Sequence, residues 1–403
     1  MLKFFRSTLV ACILFASSAA FMPAGEAILP SLEAQSPTVM AQGGSSTALP
    51  IGYDALLTNP AGFSQARTEL TILSGFPWFY GDPLALNRAL GWLPFLPGAS
   101  KRDGSLPFNP ENYVAEEADR GVGIGWRVGI GLVGNGLGLG LIHTSSVLLD
   151  TGMSASPAAA NGFAASSFSL VGGYALTPIK NDTLSLRIGA DLRPTVLFFA
   201  PLDEEIVGGA LRIGSLYSRA MVDTLNRTTL SQGAALALDT GAILDIGVFS
   251  IGISIRDIFD TRFAMSQYRF GSWVETASTS GIPNNSRSTM NYRLPMTIRF
   301  GVGYKPERPF ARIVPSLHGD VDDVMGFLRN PLSPLNYIRL GSELSLFNTL
   351  KIRGGFDKGA ITAGLGLRLF FFDLNAAAAL GDIVPGIASR HPGGISVELA
   401  FRL

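Results

Sequence analysis

From Gly394 to Leu403 the chain alternates without a break: Ile395, Val397, Leu399, Phe401 and Leu403 share one parity, and Ser396, Glu398, Ala400 and Arg402 the other. Period-two alternation predicts a strand with one apolar face. The pattern recurs upstream. Leu350, Ile352 and Phe356 alternate with Lys351, Arg353 and Asp357, and Ile338, Leu340, Leu344 and Leu346 with Arg339, Glu343 and Ser345. In 361–369 the apolar residues alternate with Thr362, Gly364, Gly366 and Arg368. A water-soluble β-sandwich also alternates, so the pattern alone leaves that architecture open.

Hydropathy and export separate the two. Mean hydropathy is positive, although 47 of the 403 residues are glycine. Beyond the N-terminus no apolar run reaches the roughly 20 residues of a membrane helix. High hydropathy without helical spans is expected of a transmembrane β-barrel, whose apolar residues occupy every second position. The N-terminus reads as a secretory signal: Lys3 and Arg6 precede an apolar run at 9–21, with cleavage expected somewhere in 20–41. Cys12 is the only cysteine, and the residues before it superficially resemble a lipoprotein processing site. Most of the apolar run follows it, however, and its loss with the signal would leave no thiol chemistry.

Further segments of strand character at 66–76, 122–134, 136–147, 165–176, 183–194, 233–246, 249–258, 292–304, 311–320 and 374–380 bring the total to about fourteen, give or take two, an even number being usual in single-chain bacterial barrels. Connections alternate between short ones (such as Gly134-Asn135, Gly247-Val248 and Phe347-Asn348) and long ones (77–121, 148–164, 195–232, 259–291, 321–335 and 381–393). Short periplasmic turns and long external loops give that alternation in a bacterial outer-membrane barrel. The expected fold is therefore all-β, a transmembrane antiparallel barrel at 66–403.

Little in the chain points to catalysis. His143, His318 and His391 lie far apart and in no metal-ligand spacing, and the glycine runs at 121–125 and 136–140 lack the Lys-Ser/Thr of a phosphate loop. No serine–histidine constellation is evident, so the expectation is a non-enzyme without cofactor or metal. Equal numbers of basic and acidic residues, 31 each, give no positive excess for nucleic acid. The glycines Gly123, Gly125, Gly129, Gly131, Gly138 and Gly140 hold one parity and read as inward-facing, where a second backbone can approach the wall. Charges fall on that parity too: Arg187, Asp191, Arg193, Asp239, Asp245, Arg256, Arg293 and Arg299, then Arg339, Glu343, Lys351, Arg353, Asp357, Arg368, Glu398 and Arg402, lumen-facing and mostly paired with one another. A charge facing lipid at mid-depth costs about 2–4 kcal/mol for Arg or Lys.

Ahead of the first strand stands Asn59-Pro60-Ala61-Gly62, turn chemistry by composition. It resembles the N-terminal Asn-Pro-Ala-Gly segment of FadL-type long-chain fatty acid transporters and their PorV-like relatives. The runs 339–344, 350–356 and 364–368 also look like the closing strands of those proteins. The resemblance implies that 42–65 forms a hatch plugging the lumen of a fourteen-stranded barrel, after a signal and possible short leader at 1–41. It further implies passive uptake of hydrophobic, fatty-acid-like small molecules through a plugged lumen. The alternative is a PorV-like structural or secretion-accessory barrel. Trp78, Phe79, Tyr80, Trp92 and Phe95, in the unusually apolar 77–121, are the candidate landing surface for substrate, the alternative being a helical cap over the barrel mouth or a contact with outer-leaflet lipid. Expected partners are outer-membrane lipid, the hydrophobic substrate and the outer-membrane assembly machinery, which reads an alternating C-terminal strand.

Overall fold

The structure is a computed structural model and describes residues 27–28, 35–81, 122–150, 161–202, 226, 228–279, 288–306, 312–381 and 393–403. Fourteen strands run in chain order: β1 (Glu69–Tyr80), β2 (Val122–Gly134), β3 (Leu137–Asp150), β4 (Asn161–Lys180), β5 (Leu184–Leu202) and β6 (Thr229–Ile246). Then come β7 in two pieces (Phe249–Arg256 and Thr261–Arg269) and β8 in two pieces (Ser288–Leu294 and Thr297–Tyr304). They are followed by β9 (Ile313–Val321), β10 (Ile338–Leu346), β11 (Leu350–Asp357), β12 (Ala360–Leu369), β13 (Phe372–Leu380) and β14 (Gly394–Arg402). Each pairs antiparallel with its chain neighbours, and β14 returns to β1 through Leu399 opposite Gly75 and Ile395 opposite Phe79. The barrel is closed, so its ladder has no free edge strand. A two-residue bridge, Ala27–Ile28, lies parallel to Tyr292 and Arg293.

Alternation becomes geometry along every strand. On β14, Val397 and Leu399 are exposed on the outer wall while Ser396, Glu398 and Ala400 are buried inside. The outer wall is apolar around the circumference, from Ile124, Leu139 and Leu170 to Leu340, Ile361 and Leu374. At the short-turn end it meets aromatic rings (Tyr174, Phe249, Phe347 and Phe370 to Phe372), and at the other end Trp126 and Phe168. Such rings sit at the two interfaces of membrane barrels. Among the described residues no helix is long and apolar enough to cross a membrane; the crossing is made by strands.

Three departures from the expected strands have local causes. β1 continues through Phe76, Trp78 and Tyr80, whose rings follow one another along its inner face, tilted and then edge-on, at centroid distances of 6.0 and 6.2 Å. Trp78, Phe79 and Tyr80 are thus strand residues and not part of a loop; Trp92 and Phe95 lie outside the described residues. β4, β5 and β6 extend beyond their apolar stretches into small and hydroxyl-bearing segments such as 164–167. Finally, β7 and β8 are each broken, at 257–260 and at Pro295-Met296. Asp257, Phe259 and Asp260 take positive φ there, and Ile258 donates its N–H to the Leu238 carbonyl.

Each break shifts the parity of its strand by one residue. On β7 the buried positions are Ser254 and Arg256 below the break but Thr261, Phe263 and Met265 above it. On β8 they are Gly301 and Gly303 beyond Pro295 but Tyr292 before it. Because Arg293 is paired with Arg262, and Tyr292 with the inward Phe263, Arg293 stands on the outer side of the wall and not, as its parity with Arg299 predicts, in the lumen.

Candidate functional site: a segment seated in the barrel

The chain from 36 to 64 packs against the buried faces of strands all around the barrel. Helix Pro37–Ala41 lies on β11 to β14, and the 3-10 helix Pro60–Ser64 on β2 to β6. The packed segment therefore begins upstream of residue 42, within the stretch read as leader. The wall makes room for it with glycine. An added Cβ on Gly138 would strike the Phe63 ring, on Gly189 the Pro60 carbonyl, on Gly241 the Asn59 side chain, and on Gly355 the Gly43 amide. Tyr53 and Leu56 fill the space over Gly129, Gly131 and Gly140. Gly129, Gly131, Gly138 and Gly140 of β2 and β3 thus meet Tyr53, Leu56 and Phe63, whereas Asn59 and Pro60 sit over β5 and β6. Gly123 and Gly125 lie instead against Leu148 and Trp78 of the wall itself.

Local chemistry fixes the Asn-Pro-Ala-Gly turn. Asn59 is fully buried and caps the following helix: its Oδ1 accepts from Ala61 N at 3.0 Å, and Pro60 occupies the first helical turn, where no N–H is needed. The Asn59 amide donates to the Thr47 carbonyl at 2.8 Å and to the Ile253 carbonyl of β7 at 3.2 Å, tying two stretches of the seated segment to each other and to the wall. Gly62 has no unusual φ; it is needed because a Cβ would enter Pro50 and Ala55. Elsewhere the wall reaches in. Asp320 of β9 accepts from the backbone N–H of Ser46 and Thr47 at 2.8 and 2.9 Å. Thr362 of β12 donates to the Ala41 carbonyl and accepts from Gly43 N, and Arg256 donates to the Leu57 carbonyl at 2.6 Å.

Among the lumen-facing candidates Arg187 pairs with Asp245, and Arg193 and Arg256 with Asp239; those of β10 to β13 form two further ion-paired groups. Arg353 donates to Glu343 at 2.8 Å and to Asn375 at 3.0 Å, Asn375 donates to Glu398, and Gln42 donates to Glu343 at 3.2 Å. Nearby, toward the short turns, Arg368 holds Asp373 through two bonds of 2.6 and 2.7 Å. At the long-loop end Arg339 donates to Asp357 at 2.8 Å and also pairs with Asp322, which Lys358 and Arg299 approach as well. Burial alone would raise the Asp322 carboxyl, but Arg339, Arg299 and Lys358 hold it well below the usual carboxylate range.

Above the seated segment, toward the long loops, opens a cavity of about 340 Å³. Its floor includes Val39, Met40, Asp54 and Leu57; its walls include Trp78, Phe79 and Tyr80 of β1 and the cations Arg127, Arg299 and Arg339. A second cavity of about 170 Å³, bordered by the same Leu57, Arg127 and Arg299, continues along Ile142, Leu197, Phe263 and Leu294. On the short-turn side lies a small space of about 30 Å³, between Tyr53, Asp54, Lys351 and Arg402. Asp54 borders the spaces on both sides. Ser36 donates to it at 2.9 Å, while burial and the neighbouring Glu398 push its carboxyl up to about 6 against the pull of Arg402.

The histidines take no common site. His143 faces outward, its ring stacked on Phe168 at 4.3 Å; His318 is buried beside Ser316; His391 lies outside the described residues. Among the described residues no three His, Cys, Asp or Glu side chains gather as metal ligands would. Sequence reasoning missed Asp54, Asp320 and Thr362, single polar residues whose role comes from what the fold brings against them.

A closed antiparallel barrel of fourteen strands, apolar outside and charged within, is a bacterial outer-membrane barrel. No family model matches the sequence, and no curated protein matches it. Among solved structures the chain is similar in overall shape to the toluene transporter TodX of Pseudomonas putida, at 11% identity and a TM-score of 0.44 over 94% of this chain and 99% of that one. CymD, a monoaromatic hydrocarbon channel, is similar at 11% and 0.46 over 93% and 98%, and a FadL homologue of Pseudomonas aeruginosa at 14% and 0.42 over 94% and 97%. At these values the similarity is one of barrel shape and says nothing of substrate.

Proposed function

We propose that the barrel takes up hydrophobic, fatty-acid-like small molecules passively across the outer membrane, with 42–65 acting as a hatch. The observation that supports this reading best is the cavity at the long-loop end, where Trp78, Tyr80, Val39 and Met40 offer apolar surface beside Arg127 and Arg299; Phe79, between Trp78 and Tyr80, turns its ring to the outer wall. An amphipathic molecule entering there finds apolar contact for its body and cations for an acidic head. The side pocket along Leu197, Phe263 and Leu294 prolongs the apolar surface. No energy source or catalytic step is needed for diffusion down a gradient. In this reading the alternating strand 394–403 is what the outer-membrane assembly machinery recognises, and Trp92 and Phe95 belong to the landing surface.

A second reading, a PorV-like structural or secretion-accessory barrel, draws on a different observation. Below the seated segment the space between Tyr53, Lys351 and Arg402 is small, about 30 Å³, which supports a filled lumen. Organic extraction of the purified protein separates the two. The uptake reading expects a hydrophobic small molecule near one per chain. Extracts holding none, from protein that carries a stoichiometric protein partner, would favour the accessory role.

A further inference from the structure

The breaks in β7 and β8 put two arginines on the outside of the barrel. Arg262 and Arg293 are directly opposite each other across the ladder, on the face away from the lumen. Apart from Lys180, beside the turn at 181–183, they are the charged residues on the outward parity of the described strands. Like charges directly opposite are unfavourable, and only one has a carboxylate in place. Arg293 is buried and donates to Asp260 at 2.9 Å, while the other Asp260 oxygen accepts from Met296 N at 2.8 Å, locking the two breaks together. Arg262 is exposed, and no acidic partner meets it among the described residues.

Their depth is readable from the register. Ala264 faces Ala234 on β6, so Arg262 lies level with Leu236, about ten residues above the short-turn end of β6. At about 3.3 Å per residue and a tilt of about 40°, that is about 25 Å, the height of the apolar band of such barrels. Phe168, a ring at the outer interface, is level with Ala234 through Val196. Beside the pair, Leu236 and Phe259 are 62% and 70% exposed.

We propose that Arg262, backed by Arg293, binds the phosphate of an anionic lipid in the leaflet at the long-loop end, which is the external one in barrels of this kind. A guanidinium grips phosphate through two parallel N–H donors. The exposed Leu236 and Phe259 lie where the acyl chains of that lipid would run, and they single out a lipid over a free anion. Asp260 restrains Arg293 and leaves Arg262 free to donate.

The test uses the full-length protein in neutral detergent, with native mass spectrometry counting bound lipid. Probes are phosphatidylglycerol, phosphatidylcholine of the same chains, and inorganic phosphate. The wild type is expected to retain phosphatidylglycerol over phosphatidylcholine about fivefold, the effect of one cation near a lipid headgroup. Arg262→Gln should abolish the preference, Arg262→Lys should keep most of it, and Lys180→Gln should leave it unchanged. Heat-modifiable mobility verifies that each variant is folded. Equal retention of phosphatidylglycerol by folded wild type and Arg262→Gln overturns the proposal. So does displacement of the lipid by millimolar inorganic phosphate, which would mark a site for a free anion only.

Discussion

Deleting residues 42–62 is expected to leave the fourteen strands paired while raising conductance in planar bilayers well above that of the intact protein. The strands keep their full ladder without the segment, since β14 closes on β1. What disappears is everything seated over Gly129, Gly138, Gly189, Gly241 and Gly355, where the wall has no side chains of its own to fill the space. Water would enter, and the ion-paired charges left behind would tolerate it. A folded deletion variant whose conductance matches the intact protein would show that the segment does not obstruct the lumen.

The second large effect is expected at Arg353. Its side chain is 1% exposed, and it holds together Glu343 and Asn375, which in turn donates to the fully buried Glu398. Arg353→Ala leaves Glu343 and Asn375 buried without their cation, a loss of about 3–5 kcal/mol for a broken buried pair. The double variant Arg353→Met with Glu343→Leu removes both charges and is expected to recover most of that loss, because replacing a whole buried pair with apolar residues is often close to neutral. Urea unfolding in detergent checks both. A single variant within about 0.5 kcal/mol of wild type, the range of ordinary surface changes, would show that the network does not hold the barrel.

How far such features can be read from sequence depends on whether one residue's neighbours in the chain determine its surroundings. On β10 to β14 they do. The turns from β10 through β13 are tight, the parity never slips, and Arg339, Arg353 and Arg368 fall where alternation puts them. On β7 and β8 they do not. An extra residue at each break moves every later side chain to the other face, which is why Arg293 read as inward and why Thr261–Arg269 was lost in a loop. The aromatic run at 76–80 misled for a related reason: Phe79 and Pro77 face out between inward rings, and a strand apolar on both faces shows no period. The Asn-Pro-Ala-Gly motif located the seated segment by resemblance, but not its contacts. Those depend on Asp320, Thr362 and Ile253, some 200 to 320 residues away along the chain.

The claim that the barrel passes hydrophobic molecules is tested most directly in whole cells whose outer leaflet is intact lipopolysaccharide and whose own uptake channels have been removed. The measurement is the initial rate of entry of a radiolabelled long-chain fatty acid, with labelled sucrose in parallel. With the full-length protein folded in the outer membrane, fatty acid entry should rise severalfold over cells carrying empty vector, while sucrose entry stays at the vector rate if, as proposed, the seated segment acts as a hatch. Fatty acid entry at the vector rate, with the folded barrel demonstrably present, would contradict the uptake reading.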